Sequence, residues 1–167
     1  MNYDPRTEPH NLAHDPVTSL VVPRPIGWIS TLSPQGVVNL GPYSFFNLVS
    51  GYPPWVIFSS APRKHSQTNA ELTGEFVFNL ATWDLREQMN ASSAEFPADV
   101  GEPDAVGLEM VPSRNVKPPR VKRSPVAMEC KYYMRRRTHG HLHCKYKNFC
   151  PTWSRMEYRG MRIYGQR

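Results

Sequence analysis

The stretch Pro23-Arg24-Pro25-Ile26-Gly27-Trp28-Ile29-Ser30-Thr31, followed a few residues later by Asn39-Leu40-Gly41-Pro42-Tyr43-Ser44-Phe45-Phe46-Asn47, decides how this chain is read. Between its halves stands Ser33-Pro34-Gln35-Gly36, a turn sequence. Pro25–Leu32 and Val37–Leu40 flank that turn as apolar, β-branched runs, which predicts an antiparallel hairpin. The same segment carries candidate chemistry. A phosphate held without a glycine-rich nucleotide loop needs hydroxyls and unpaired backbone N–H groups converging on it. Ser30 and Thr31 at a strand end supply hydroxyls, and a turn over Gly41–Asn47 supplies N–H donors and the Ser44 hydroxyl. Lys64 and Thr68 stand at the start of a predicted helix, where a cation, a hydroxyl and the helix N-terminus can face one anion. Each residue also has a purely structural reading. Ser-Thr suits a strand end, Tyr43, Phe45 and Phe46 suit a core or an interface, and Lys64 suits solvent.

Outward from this segment the pattern is mostly β. Residues 16–60 read as short strands divided by turns, including the β-branched run Val17–Val22 and the apolar run Trp55–Ser60 after Pro53-Pro54. A helix is predicted over Ser66–Thr73, ended by Gly74, with a strand following over Glu75–Leu80. Asp84 and Glu87 have capping-box spacing, which predicts a second helix over Asp84–Ala94. Residues 97–124 are rich in proline, glycine and charge and read as a long connection, with Lys117-Pro118-Pro119-Arg120 outside regular structure. Pro125–Tyr133 is the last predicted strand. Seventeen prolines in 167 residues favour turns and extended segments over long helices. Without βαβ alternation, the expected class is mainly β: an open or partly closed antiparallel barrel with two inserted helices.

The net charge of +6 is unevenly spread. Residues 1–130 carry ten Lys and Arg against thirteen Asp and Glu, whereas residues 131–167 carry ten against Glu157 alone. The basic character therefore belongs to the last 37 residues. After Tyr133 neither strand nor helix periodicity persists, so residues 134–167 are read as a basic tail without an assignable fold. Within it, Arg135–Arg137, Lys145 and Lys147 alternate with Tyr146, Phe149 and Trp153, a pattern suited to single-stranded nucleic acid. Cys130, His139, His141, His143, Cys144 and Cys150 are candidate zinc ligands by residue type, but no C-x2-C pair is present, and no metal is expected. No stretch is apolar enough for a membrane span, and Met1–Asp15 has no apolar signal core, so a soluble cytoplasmic protein is expected.

The runs PRPIGWIST, VNLGPYSFFN, PPWVIFSS and KHSQTNAELTGEFVFNLAT, then MNASSAEFP, GLEMVPSRNVKPPRV and SPVAMEC, resemble the flavin reductase-like family of FMN-binding split barrels in order and spacing. The resemblance covers about Tyr3 to Tyr133, giving an expected domain at residues 1–133. It implies a homodimer around two FMN sites. Ser30 and Thr31 would lie beside the flavin. Pro42, Tyr43, Ser44 and Phe45 would wrap the ring edge and phosphate, with Asn47 bracing that segment. Lys64 and Thr68 would complete the phosphate site, with help from Asn69; Arg24 would approach the phosphate or make a structural pair. The family commonly has an acidic residue after the lysine, where this chain has His65. Family members continue beyond the SPVAMEC segment with further apolar strands. The change of pattern there is read as a substituted or frame-shifted tail, leaving the C-terminal strands of the barrel missing.

The implied activity is an oxidoreductase that passes electrons from NAD(P)H through bound FMN to a small acceptor: free flavin, a metal complex, a quinone or oxygen. The protein positions the cofactor, so no catalytic residue is singled out and no GxGxxG loop is required. The alternatives are an inactive flavin-binding remnant and a basic-tail nucleic-acid binder; nucleic acid and membrane are not the expected partners.

Overall fold

A computed structural model of the chain describes residues 4, 7, 9–52, 54–60, 62–134 and 152–155. The deciding hairpin forms. Strand β1 (Gly27–Leu32) pairs antiparallel with β2 (Val38–Tyr43), from Gly27 opposite Tyr43 to Leu32 opposite Val38. Gly36 closes the turn at φ 88°, a left-handed conformation that glycine adopts without strain. The Ser33 hydroxyl and carbonyl accept from the Val37 and Gly36 N–H groups.

Strand β2 extends through Gly41-Pro42-Tyr43, so the expected turn over Gly41–Asn47 shrinks to a bend at Ser44-Phe45 before β3 (Phe46–Gly51). Pro42 is tolerated because β2 is an edge strand, where a missing N–H costs no ladder bond. Strand β4 (Pro54–Phe58) returns along β3, and β5 (Glu75–Asn79) pairs β1 on one side and β8 (Ala127–Met134), the middle strand, on the other. From the C-terminal stretch, β9 (Thr152–Arg155) lies between β8 and β4, so part of the segment read as unassignable enters the sheet. The zinc candidates His139, His141, His143, Cys144 and Cys150 lie outside the described residues.

The strand order is β2-β1-β5-β8-β9-β4-β3, every pair antiparallel. Its two edges, β2 and β3, are consecutive in the chain and joined only by Ser44-Phe45. That short link draws the edges together at one corner without pairing them. The sheet therefore curls into a split β-barrel.

Strand β1 serves two cores, because alternate residues face opposite sides of a sheet. Ile29 joins Tyr43, Phe46, Phe58, Phe76 and Phe78 on one side. Trp28 joins Leu40, Leu85, Leu108 and Val121 on the other. Consequently residues Gly27–Thr31 are all buried. Inside the first core Phe46 stacks on Phe78 at 4.7 Å between centroids, linking β3 to β5 across the barrel.

Helix α1 (Pro16–Ser19) occupies much of the β-branched run expected as strand. The Asp15 carboxylate accepts from the Val17 and Thr18 N–H groups, and Pro16 sits at the first helical position. An N-cap and a preset φ here outweigh β propensity. Helix α2 (His65–Thr73) forms as predicted, one residue longer, and ends at Gly74 with φ 75°. The predicted Asp84–Ala94 helix divides into a 3-10 turn (Trp83–Leu85) and α3 (Arg86–Ala91). Asp84 cannot cap it, because its carboxylate is taken by the Thr82 hydroxyl and by Arg123. Ser92, Ser93 and Ala94 thus leave the helix and become available to the cleft described below. The long connection contains α4 (Glu102–Ala105) and the two-residue strands β6 (Met110–Val111) and β7 (Arg120–Val121). No described helix is long and apolar enough to cross a membrane.

Two carboxylates anchor that connection to the sheet. Glu129 accepts the Arg114 and Asn115 N–H groups, and Glu75 accepts the Lys117 N–H and the Lys131 ammonium. Partial burial pushes the Glu75 pKa up, but the hydrogen bonds from Lys117 and Lys131 and their charges outweigh it and hold the carboxyl below its ordinary value. A carboxyl with a depressed folded pKa stabilises the fold above its unfolded pKa, and that contribution is lost as pH falls through the folded value. Thermal melting followed across acid pH should therefore show a fall in the midpoint beginning below about pH 4.5. Glu75→Gln should flatten part of that fall; an unchanged acid profile would remove Glu75 as a contributor.

Candidate functional site

A cleft of about 250 Å³ opens where β2, the start of α2, the segment after α3 and α4 meet. Its β2 side is Asn39, Gly41, Pro42 and Tyr43. Its α2 side is Arg63, Lys64, His65 and Ser66, and Ser92–Phe96 with Glu102 close it. These residues come from four separated parts of the chain, which the barrel brings together because α2 packs against β1 and β2 and α4 packs against β2.

The α2 side is cationic and offers a helix start. Lys64 is the N-cap of α2 and makes no side-chain capping bond. The first-turn N–H groups and the macrodipole of this nine-residue helix favour a negative charge at that end. Arg63 is held in place by Thr68 Oγ1 at 2.9 Å and by Glu71 at 2.6 Å. The role of Thr68 here is to brace Arg63 and to bond the Lys64 carbonyl.

The β2 side is a buried hydrogen-bond network. Glu102, only 5% exposed, accepts from Asn39 Nδ2 and, at 3.1 Å, from the Leu40 N–H. Asn39 Oδ1 accepts from Ser66 Oγ at 2.5 Å and Thr31 Oγ1 at 3.3 Å. Asn69 Nδ2 donates to Thr31 Oγ1 at 3.3 Å. Burial, partly offset by the nearby Ser66 side chain and helped by the charge of Glu102, pushes the Tyr43 phenol up to about 12, so it stays neutral at physiological pH. Gly41 leaves the cleft floor bare. A Cβ there would lie 3.6–3.7 Å from the Tyr43 ring edge and hydroxyl and 3.8 Å from Ser66 Oγ, without steric conflict.

Of the residues singled out in the sequence, the structure brings Pro42, Tyr43 and Lys64 to the cleft, with Thr68 behind Arg63. Thr31 is fully buried behind it, bonded to Asn39 and Asn69. Ser30 is also fully buried, donating to the Pro119 carbonyl at 2.6 Å. Ser44 and Phe45 form the barrel corner, where the Phe45 carbonyl accepts from the Ser59 N–H. Asn47 is exposed on β3, opposite Ile57. Arg24 donates to the Thr18 and Val21 carbonyls and lies 5.3 Å from the Phe45 ring centroid, a structural pairing. Sequence reading did not single out Asn39, Ser66 or Glu102. Asn39 and Ser66 stand inside quoted motifs, whereas Glu102 lay in a stretch read as a loop and had no local signal.

A phosphorylated polyol suits this donor set: cations and a helix start for the phosphate, buried hydroxyls and an open glycine floor for the chain. The volume of about 250 Å³ falls below the roughly 300–1,000 Å³ that enclose a whole small ligand, so the cleft has room for part of such a molecule and not the whole of it.

Comparison with known proteins follows the same line. A protein of Aquifex aeolicus is 43% identical over 122 residues, covering 70% of this chain and 62% of its own length. The structure of 2-nitrobenzoate 2-nitroreductase from Pseudomonas fluorescens superposes with a TM-score of 0.71 at 28% identity, covering 84% of this chain and 66% of that one. A flavin reductase with a split barrel domain from Shewanella frigidimarina gives 0.70 at 25% identity, covering 76% of this chain and 67% of that one. The chain spans about three fifths of the length of the curated relatives it matches. The family model described as the flavin reductase like domain matches residues 19–145, so with its split barrel this chain belongs to the flavin reductase like family.

Proposed function

We propose that this chain is an FMN-dependent oxidoreductase that takes electrons from NAD(P)H and delivers them to a small acceptor such as free flavin, a metal complex, a quinone or oxygen. The observation that supports FMN most directly is the cleft at the start of α2, cationic at one side and lined by hydroxyls and bare backbone at the other. Bound FMN supplies hydride acceptance and onward electron transfer. The chain's own residues do the holding. Lys64 and Arg63 neutralise the phosphate, the α2 N-terminus directs N–H groups at it, and Gly41 lets the ligand approach the β2 backbone. Members of the family take up FMN as homodimers in our reading. Exposed apolar residues on and beside β3 (Phe45, Leu48, Val49, Tyr52) and after α1 (Leu20, Val21, Val22) are suited to a second copy.

The test is the visible spectrum of the purified protein. Flavin absorption that bleaches on addition of NADH or NADPH supports this function. A colourless protein that takes up no added FMN refutes it. Gly41→Ala separates binding from folding. The added Cβ meets only ordinary contacts, so thermal stability should change little, while the side chain occupies the cleft floor and FMN affinity should drop about tenfold or more. Unchanged affinity by fluorescence titration would place the cofactor elsewhere.

A further inference from the structure

A buried hydroxyl normally spends its proton inside the protein, and Tyr43 does not. Its ring is packed in the barrel core, 5.1 Å from Phe58 between centroids, and the residue is only 7% exposed. Among the described residues its hydroxyl makes no hydrogen bond, and the residue lines the cleft. The buried polar groups around it are bonded within the protein: Ser66 donates to Asn39, Asn39 to Glu102, and Asn69 to Thr31.

Two neighbours fix the place of this hydroxyl. A Cβ built on Gly41 would lie 3.7 Å from the Tyr43 oxygen and 3.8 Å from Ser66 Oγ, so the phenol overhangs the bare backbone of Gly41. Ser66 is the second residue of α2, directly after His65 and the Lys64 N-cap. The hydroxyl therefore borders the α2 side of the cleft, where Arg63 and Lys64 stand. Burial keeps it protonated, with the pKa pushed up to about 12, so it has a proton to donate throughout the physiological range. Water can take that proton in an open cleft. A ligand oxygen seated over Gly41 takes it in a less hydrated setting, where the bond is stronger.

We propose that Tyr43 is a ligand-binding residue whose hydroxyl donates a hydrogen bond to an oxygen of the ribityl phosphate chain of the bound flavin. The inference rests on the cofactor reading above and deepens it. Two cations and a helix start recognise charge; a fixed neutral donor adds direction. The chain is the part addressed, because the hydroxyl borders the cations that hold its phosphate.

Tyr43→Phe removes only the oxygen and keeps the ring against Phe58. Without ligand, its melting midpoint should stay within about 2 °C of the unmodified value, since no bond among the described residues is lost. FMN, titrated by fluorescence, should bind about tenfold more weakly. Two further probes locate the oxygen: riboflavin keeps the polyol and lacks the phosphate, and lumiflavin keeps only the ring. Unchanged riboflavin affinity places the bond at the phosphate. Riboflavin weakened as much as FMN places it at a ribityl hydroxyl. Lumiflavin is unaffected in either case. The inference is overturned by an FMN affinity within about twofold of the unmodified protein's, by equal weakening of all three probes, or by a larger fall in the midpoint, which would give the hydroxyl to the fold. The cofactor reading survives those results, because the unmodified protein still binds FMN. Failure of the unmodified protein to bind FMN overturns both.

Discussion

Replacing Gly27 with alanine is expected to destabilise the fold by about 3 kcal/mol, at the upper end of what overpacking costs. A Cβ on Gly27 would lie 2.4 Å from Phe46 Cδ2, 2.5 Å from Cγ and 2.9 Å from Cβ. These atoms lie at the root of the side chain, so no rotation of its far end removes the conflict. The ring cannot tilt away either, because it lies flat on Phe78, 4.7 Å between centroids and 4° between planes. Relief would have to come from moving β3 off β1 at the corner where the two edges of the sheet converge. Urea unfolding of Gly27→Ala checks this. A change below about 0.5 kcal/mol would show that the corner is looser than its packing implies.

Asn79→Ala should cost a similar amount, about 3 kcal/mol, through lost hydrogen bonds rather than crowding. Asn79 is fully buried at the end of β5. Its Oδ1 accepts the Val121 N–H at 2.8 Å, and its Nδ2 donates to the Trp28 carbonyl at 3.2 Å and the Ser30 hydroxyl at 3.3 Å. It therefore ties the long connection to β1. Alanine leaves a buried N–H and a void in a region that water does not readily fill. Chemical denaturation gives the size of the effect. Hydrogen exchange gives its location, with the Val121 amide expected to lose protection well beyond the global change. Uniform loss of protection across the barrel would argue against a local anchor.

These two residues show how unequal the sequence signals are. Gly27 lies inside the segment that identified the fold, but its need to be glycine comes from a phenylalanine on another strand. Asn79 reads as an ordinary polar strand end, and nothing nearby announces its three partners. At the cleft, Pro42, Tyr43 and Lys64 were legible because they stand in motifs with a recognisable order. Ser30 and Thr31 were legible as hydroxyls but not as buried ones, since their burial depends on Pro119 and on Asn39 and Asn69. The Val17–Val22 run was read as strand because β propensity is a weak preference that one N-cap and one proline override.

By itself the sequence determined the local elements and the ancestry. Alternating apolar runs, the Gly36 turn, the Gly74 helix stop and the order of motifs all act over a few residues, so they are written where they operate. Tertiary structure decided the rest: the meeting of β2 and β3 at Ser44-Phe45, the insertion of β9 between β8 and β4, and the approach of Glu102 to Asn39 across 63 residues. The physical reason is that loop closure costs grow only logarithmically with separation. A carboxylate can reach an amide far along the chain almost as cheaply as a near one, and such a contact leaves no periodicity behind. The cleft and the buried hydrogen-bond network behind it therefore exist only in the folded barrel.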